Sequence, residues 1–158
     1  MAQNTYYELI KTVKDIFEQD DDVNSVICEN EPSQIDNYKM SVYPLVHIRV
    51  VSSPFIGNDT TALTRYNMEV TVVNLRDVNK EIINDKFWLN DNRHDNWNLT
   101  MSILKTAQNK LVKDTEDKNI TLVTANDAEM LEWAIGNGAD GWQQTWVLDV
   151  PDTITSVC

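Results

Sequence analysis

The chain has 158 residues, 42% of them hydrophobic, with only four Gly and four Pro. That suits one domain able to bury roughly 70% of the surface of its unfolded chain, and it excludes a linker-rich or low-complexity protein. The net charge of -12, with no basic block to counter it, excludes tight binding to a phosphate backbone, which rests on Lys and Arg displacing counterions. The plain reading of that charge is an acidic, soluble surface; the sharper one is a wall that repels DNA.

Two cysteines, Cys28 and Cys158, are too few for a disulfide scaffold or a Cys-based metal site, and a reduced intracellular setting is expected. Met1 to Thr5 has no basic or apolar stretch of the secretory type. No run approaches the ~18 apolar residues of a membrane span. Three Asn-x-Ser/Thr matches, at Asn58, Asn98 and Asn119, follow from a composition rich in Asn and Thr.

The first predicted element is a helix over Thr5–Gln19. Thr5 and Glu8 have the spacing of a capping box. Tyr6, Leu9, Ile10, Val13, Ile16 and Phe17 fall on one stripe, opposite Lys11, Lys14, Asp15 and Glu18, and core packing is the expected use of that stripe. Asp20, Asp21 and Asp22 follow. They lack the alternating oxygens, Gly turn and closing Glu of a calcium loop, so they read as a solvated turn. Val23–Cys28 is a short strand and Glu29–Asn37 a polar loop around Pro32.

Two long strand-like runs come next, Pro44–Val51 and Leu63–Val73. In the first, Val46, Ile48 and Val50 share a face opposite His47 and Arg49. In the second, Tyr66, Met68, Val70 and Val72 share a face opposite Arg65, Asn67, Glu69 and Thr71. Alternation of this kind, joined by a turn-rich loop from Ser52 to Ala62, predicts an antiparallel hairpin. The second run exceeds the usual ~5–6 residues of a strand. Its end is expected to overhang the core and offer backbone groups to a neighbour. Phe55 and Ile56, in the loop beside Pro54, are a natural contact for another subunit if exposed.

Leu75–Asn96 carries no clear period. His94 between Asp91 and Asp95 invites an acid–base or metal reading, yet it lacks the two-histidine helical spacing of metal motifs. His94 and the strand residue His47 are expected at the surface. The second helix is predicted over Asn96–Asp114, capped by Asp95 or Asn96, with Trp97, Met101, Leu104, Ala107, Gln108 and Leu111 toward the sheet. Lys105, Lys110 and Lys113 suit its C-terminal half. Strands follow at Ile120–Thr124, Glu129–Ile135 and Trp142–Val150, the last two joined by the Gly-rich turn Gly136–Gly141. On the last strand Trp142, Trp146, Leu148 and Val150 share a face; Pro151 ends it, and Asp152–Cys158 is a tail. The class is α+β: a mainly antiparallel sheet with a long hairpin and two packed helices, in one domain over residues 1–158. No nucleophile elbow, Walker loop, dinucleotide fingerprint or Cys/His metal spacing occurs.

The capped helix Thr5–Gln19, the hairpin Pro44–Asp77, the helix Asn96–Asp114 and the closing strand with Gly141-Trp142 and Leu148-Asp149-Val150-Pro151 together resemble the tail terminator and tail completion proteins of tailed bacteriophages, including those of crAss-like phages. The resemblance implies a tail-terminator-like fold. It also implies a structural virion protein, made in the host cytoplasm, that forms a ring at the neck or the top of the tail. Six-fold rings are common in that family and twelve-fold is a variant. It implies no catalytic residue, metal or cofactor. The partners it implies are other copies of the chain and neighbouring portal, neck or tail-tube proteins, with genomic DNA passing through without specific binding and no membrane involved. Subunit contacts are expected at Pro54, Phe55, Ile56, Gly57 and Asn58 of the hairpin loop, and at Ile154 and Val157 of the tail. The competing readings are a small acidic intracellular protein-binding module that uses the same loop, and an enzyme or metal site around His94.

Overall fold

A computed structural model describes residues 5–28, 42–54, 63–77, 92–118, 120–134 and 138–151. The element order is α1 (Thr5–Glu18), β1 (Ser25–Ile27), β2 (Leu45–Ser52), β3 (Leu63–Leu75), α2 (Arg93–Lys118), β4 (Thr121–Ala125), β5 (Glu129–Ala134) and β6 (Ala139–Pro151). The class is α+β as predicted. Six strands form one sheet in the order β1-β2-β3-β6-β4, with β5 also pairing β6. Among the described residues only β1 and β2 run parallel; every other pair is antiparallel.

The predicted hairpin is present. Leu45 faces Val73, Ile48 faces Val70 and Val50 faces Met68, with a bulge between Val50 and Ser52. The predicted overhang is not as expected. β3 pairs with β6 along its whole length, from Leu63↔Pro151 to Leu75↔Ala139. On its other side, beyond the Ser52↔Asn67 pair, the Arg65 carbonyl accepts a hydrogen bond from the Ser53 hydroxyl at 2.7 Å. A long strand needs no neighbouring subunit when an equally long strand of its own chain lies beside it.

Alternation decides what the sheet buries. Val46, Ile48, Met68, Val70, Val72, Trp146, Leu148 and Val150 form one continuous face, and both helices pack on it. Leu9, Val13, Ile16 and Phe17 come from α1, and Ile103, Leu104, Ala107 and Leu111 from α2. The α1 residues belong to the predicted stripe; on α2 Leu104, Ala107 and Leu111 do, while Ile103 lies outside it and Trp97, Met101 and Gln108 are only half-buried. Each full burial of a large apolar side chain contributes about 1.5–3 kcal/mol. Phe17 stacks on Trp146 with ring centroids 5.9 Å apart, and the Trp146 indole N–H donates to Gln144 Oε1.

Several assignments change. α2 runs on to Lys118 rather than ending at Asp114, and β6 begins at Ala139, so Gly141 lies in the strand and not in the turn. α2 starts at Arg93 rather than Asn96. Asn92 stands before it, and its carbonyl accepts the first helical bond from Asn96 N–H at 2.9 Å. Its side chain ties the helix start to the end of β3 by accepting from Asp77 N–H at 2.7 Å. The polar run before the helix contains several residues able to cap, and tertiary contact with β3 selects among them. His47 is fully buried rather than at the surface. It lies opposite Thr71 on the face away from α1 and α2, where Leu45, Val73 and Ala139 form a second apolar cluster with Ile27, Tyr43 and Leu131. Alternation separates the two faces of a strand but does not say that one of them is wet.

Gly141 is where β6 comes closest to β3. A Cβ there would lie 1.9 Å from the Val72 carbonyl oxygen and 2.8 Å from Val73 Cα. Gly141→Ala is therefore expected to force the central ladder apart and cost about 1–3 kcal/mol or more in denaturant unfolding; an unchanged midpoint would contradict this close approach. Trp146→Ala should cost about 3–5 kcal/mol. Trp97, half-buried with its indole N–H on the Leu131 carbonyl at 2.9 Å, should cost less in the same assay, and equal costs would overturn the placement of the two side chains.

Candidate subunit interface

The two ends of the sheet differ in chemistry. At the end where α2 begins, polar groups are buried and paired. Arg76 donates from Nε to Asp140 Oδ2 at 2.7 Å and makes a second bond to Asp140 Oδ1. Glu132 receives both Arg76 and Arg93. Asn74 donates to Asn96 Oδ1 at 2.8 Å, and Asn96 donates in turn to the Leu75 carbonyl at 3.1 Å. The Thr100 hydroxyl closes the first turn on the Asn96 carbonyl at 2.6 Å. Asp140 is fully buried, so removing its partner leaves an uncompensated charge. This network fixes the helix start to β3, β5 and β6. Asp140→Ala should cost about 3–5 kcal/mol in urea unfolding; a loss below about 1 kcal/mol would show that the buried Arg76 is satisfied by other means.

Of the residues expected at subunit contacts, Pro54 is the one described, and it lies at the opposite end. Pro54 is exposed and is the last described residue before the loop. Leu63 is the first after it, and its partner across the ladder is Pro151, the last described residue of β6. The loop and the tail therefore leave from the same end of the sheet. Phe55, Ile56, Gly57 and Asn58, with Ile154 and Val157, lie outside the described residues.

Side chains around these exits are braced. Arg65 makes a two-pronged pair with Asp149, 2.6 and 2.7 Å, across β3 and β6. That hydrogen bond is the largest influence holding the guanidinium above its ordinary pKa. Arg49 pairs with Glu69 at 2.7 Å across β2 and β3. Asn67 Nδ2 donates to the Ser52 hydroxyl at 2.8 Å. On the helix side, Tyr6 at the start of α1 meets the Tyr66 ring with centroids 6.2 Å apart and Tyr7 at 5.8 Å. Burial, and then the neighbouring Cys28, Tyr7 and Tyr66, raise the Tyr6 pKa. Tyr6 and Tyr7 were assigned by spacing to a packing stripe and to no role, respectively; they are exposed to 38% and 69%. The register of Tyr66 near the loop is what brings them to this end, and no local pattern carries that information.

The sheet edges are poorly suited to strand addition. β1 has only three residues. The β4 and β5 pairings with β6 are both irregular, between Leu122 and Thr124 and between Leu131 and Ala134. Short and bulged edges of this kind discourage pairing with another chain; β1 covers only Leu45–His47 of the eight-residue β2.

A cleft of about 360 Å³ opens between α2 and the β4–β5 corner, lined by Met101, Lys105, Gln108, Asn126, Asp127 and Gln144 among others. Gln144 bridges it, donating to the Asn126 carbonyl at 2.6 Å and accepting from Gln108 at 3.2 Å. Its polar groups hold the corner to the helix. His94 is exposed, with its ring edge-on to Trp97 at 5.2 Å. Asp91 lies outside the described residues. Among the described residues no three His, Cys, Asp or Glu side chains gather as a metal site, and no helix is long and apolar enough to cross a membrane. No protein-family model matches the chain, and no curated protein matches it either.

Proposed function

We propose that this chain is a structural subunit of a tailed-phage virion, forming a ring at the neck or the top of the tail. In this reading the ring joins or terminates the tail and leaves a channel through which DNA passes without specific binding. The observation that carries the reading is the Leu63↔Pro151 register. It attaches the hairpin loop and the tail, the two segments assigned to subunit contact, to one end of a braced sheet. A ring needs the same patch presented in fixed orientation by every copy, and a rigid sheet end supplies that. The net charge of -12 favours a channel that does not grip DNA. Its partners are further copies of itself, six or twelve to a ring, and the neighbouring portal, neck or tail-tube proteins. The proposed location is the virion.

The test is the native mass of the Phe55→Asp/Ile56→Asp double variant beside the unaltered protein. The reading predicts that the variant keeps its helix and sheet signal and its melting temperature but fails to assemble. Unchanged oligomer mass in the variant would remove the loop from the interface.

A further inference from the structure

We infer that the outward face of α2 docks on the acidic turn of a neighbouring copy of this chain, at Asp21 and Asp22; the inference rests on the ring reading and adds to it a contact made by the helix layer. Lys105, Lys110 and Lys113 stand on α2 with no acidic residue between Asp95 and Asp114. Lys105 and Lys113 are exposed, Lys110 is half-buried, and the exposed Val112 lies among them. The chain has 25 acidic residues, and Arg49, Arg65, Arg76 and Arg93 each pair with one. The three lysines make no ion pair among the described residues. Asp127, which lines the same cleft as Lys105, does not pair with it, and Asp114, Glu116 and Asp117 come only after Lys113 in the sequence.

The complementary surface is on the same chain. Asp21 and Asp22 are exposed just after α1. Their turn is held in shape: Asp22 N–H donates to Asp20 Oδ1 at 3.1 Å, Val23 N–H to the Asp20 carbonyl at 3.0 Å, and Asn24 N–H to the Pro44 carbonyl at 3.0 Å. Carboxylates presented on an ordered turn meet ammonium groups at a smaller ordering cost than carboxylates on a loose one. Copies that each carry -12 repel overall, and lysines facing aspartates offset that repulsion where the copies touch.

The two patches lie toward opposite sides of the fold. The acidic turn leads into β1, the outermost strand on one side of the sheet. α2 packs over β3, β6 and β4, toward the other side. Within one molecule the aspartates and the lysines make no ion pair. A contact between two different patches runs head to tail, and repeated about a rotation axis it closes a ring, whereas a patch that meets itself gives a pair. A second copy therefore supplies both the matching charge and the geometry of the assembly.

The experiment is a charge swap read by sedimentation equilibrium, with thermal melts of each protein. One variant carries Lys105→Glu and Lys113→Glu, the other Asp21→Lys and Asp22→Lys. All four positions are exposed, so both variants should melt like the dissociated unaltered chain. The inference predicts that each variant alone self-associates about tenfold or more weakly. It predicts that an equal mixture regains the mass of the unaltered assembly, because copies that alternate around a ring of six or twelve restore opposite charges at every contact. A mixture that stays dissociated would overturn it. If each variant alone assembles like the unaltered chain while the Phe55→Asp/Ile56→Asp variant does not, this inference fails and the ring reading stands. If the unaltered chain is monomeric at every concentration up to its solubility, both fail.

Discussion

The ladder between β3 and β6 is the constraint on which the rest depends. Thirteen residues of each strand pair without a break, from Leu63↔Pro151 to Leu75↔Ala139. β2 is added on one side, β4 and β5 on the other, and both helices cover the face on which Met68, Val70, Val72, Trp146 and Leu148 alternate inward. A slip of one residue would turn that whole row to the opposite face. Gly141 reinforces the register, since only a residue without a side chain fits against the Val72 carbonyl. Gly138, just before β6, has φ 72, a conformation glycine adopts at little cost.

The ladder also sorts the molecule into two ends with different work. At one end Arg76, Asp140, Glu132 and Arg93, together with Asn74, Asn92 and Asn96, lock α2 to the strands through hydrogen bonds and ion pairs, with Asp140 fully buried and Glu132 at the surface. Buried charges of this type destabilise unless nearly all their bonding capacity is met, and they reward a single arrangement of the parts. At the other end the polar groups are spent in cross-strand pairs near the surface, and tyrosine rings and Pro54 are left outward. Surface pairs of that sort add little stability, at most about 1 kcal/mol each. With the sheet edges short or bulged, that end is the part of the described surface best suited to contact through side chains.

Much of the fold was legible in the sequence because burial on one face imposes a period. The stripe Leu9, Val13, Ile16 and Phe17 and the alternation from Tyr66 to Val72 identify their elements without help from the rest of the chain. Pairing of β3 with β6 was not legible. The strands are separated by α2, β4 and β5, and nothing local in Leu63–Leu75 names Ala139–Pro151 as its partner. That missing partner is why β3 read as a strand with an overhang. His47 was misjudged for a related reason: the cluster that buries it is assembled from Leu45, Val73 and Ala139, on three different strands. The start of α2 was placed late because its tie to Asp77 is tertiary. The loop and tail were read from sequence as expected contacts; that the described strands lead into both from one end follows only from the register.

In the proposed ring, this end of the sheet joins each copy of the chain to the next. The most direct measurement is the native mass of the unaltered protein over a concentration series, with negative-stain images of the same samples. The ring reading predicts one assembled mass whose value does not change with concentration while the share of chain in it rises, and round particles with six-fold or twelve-fold symmetry around an open centre. A concentration-independent monomer, or open chains of indefinite length, would contradict it.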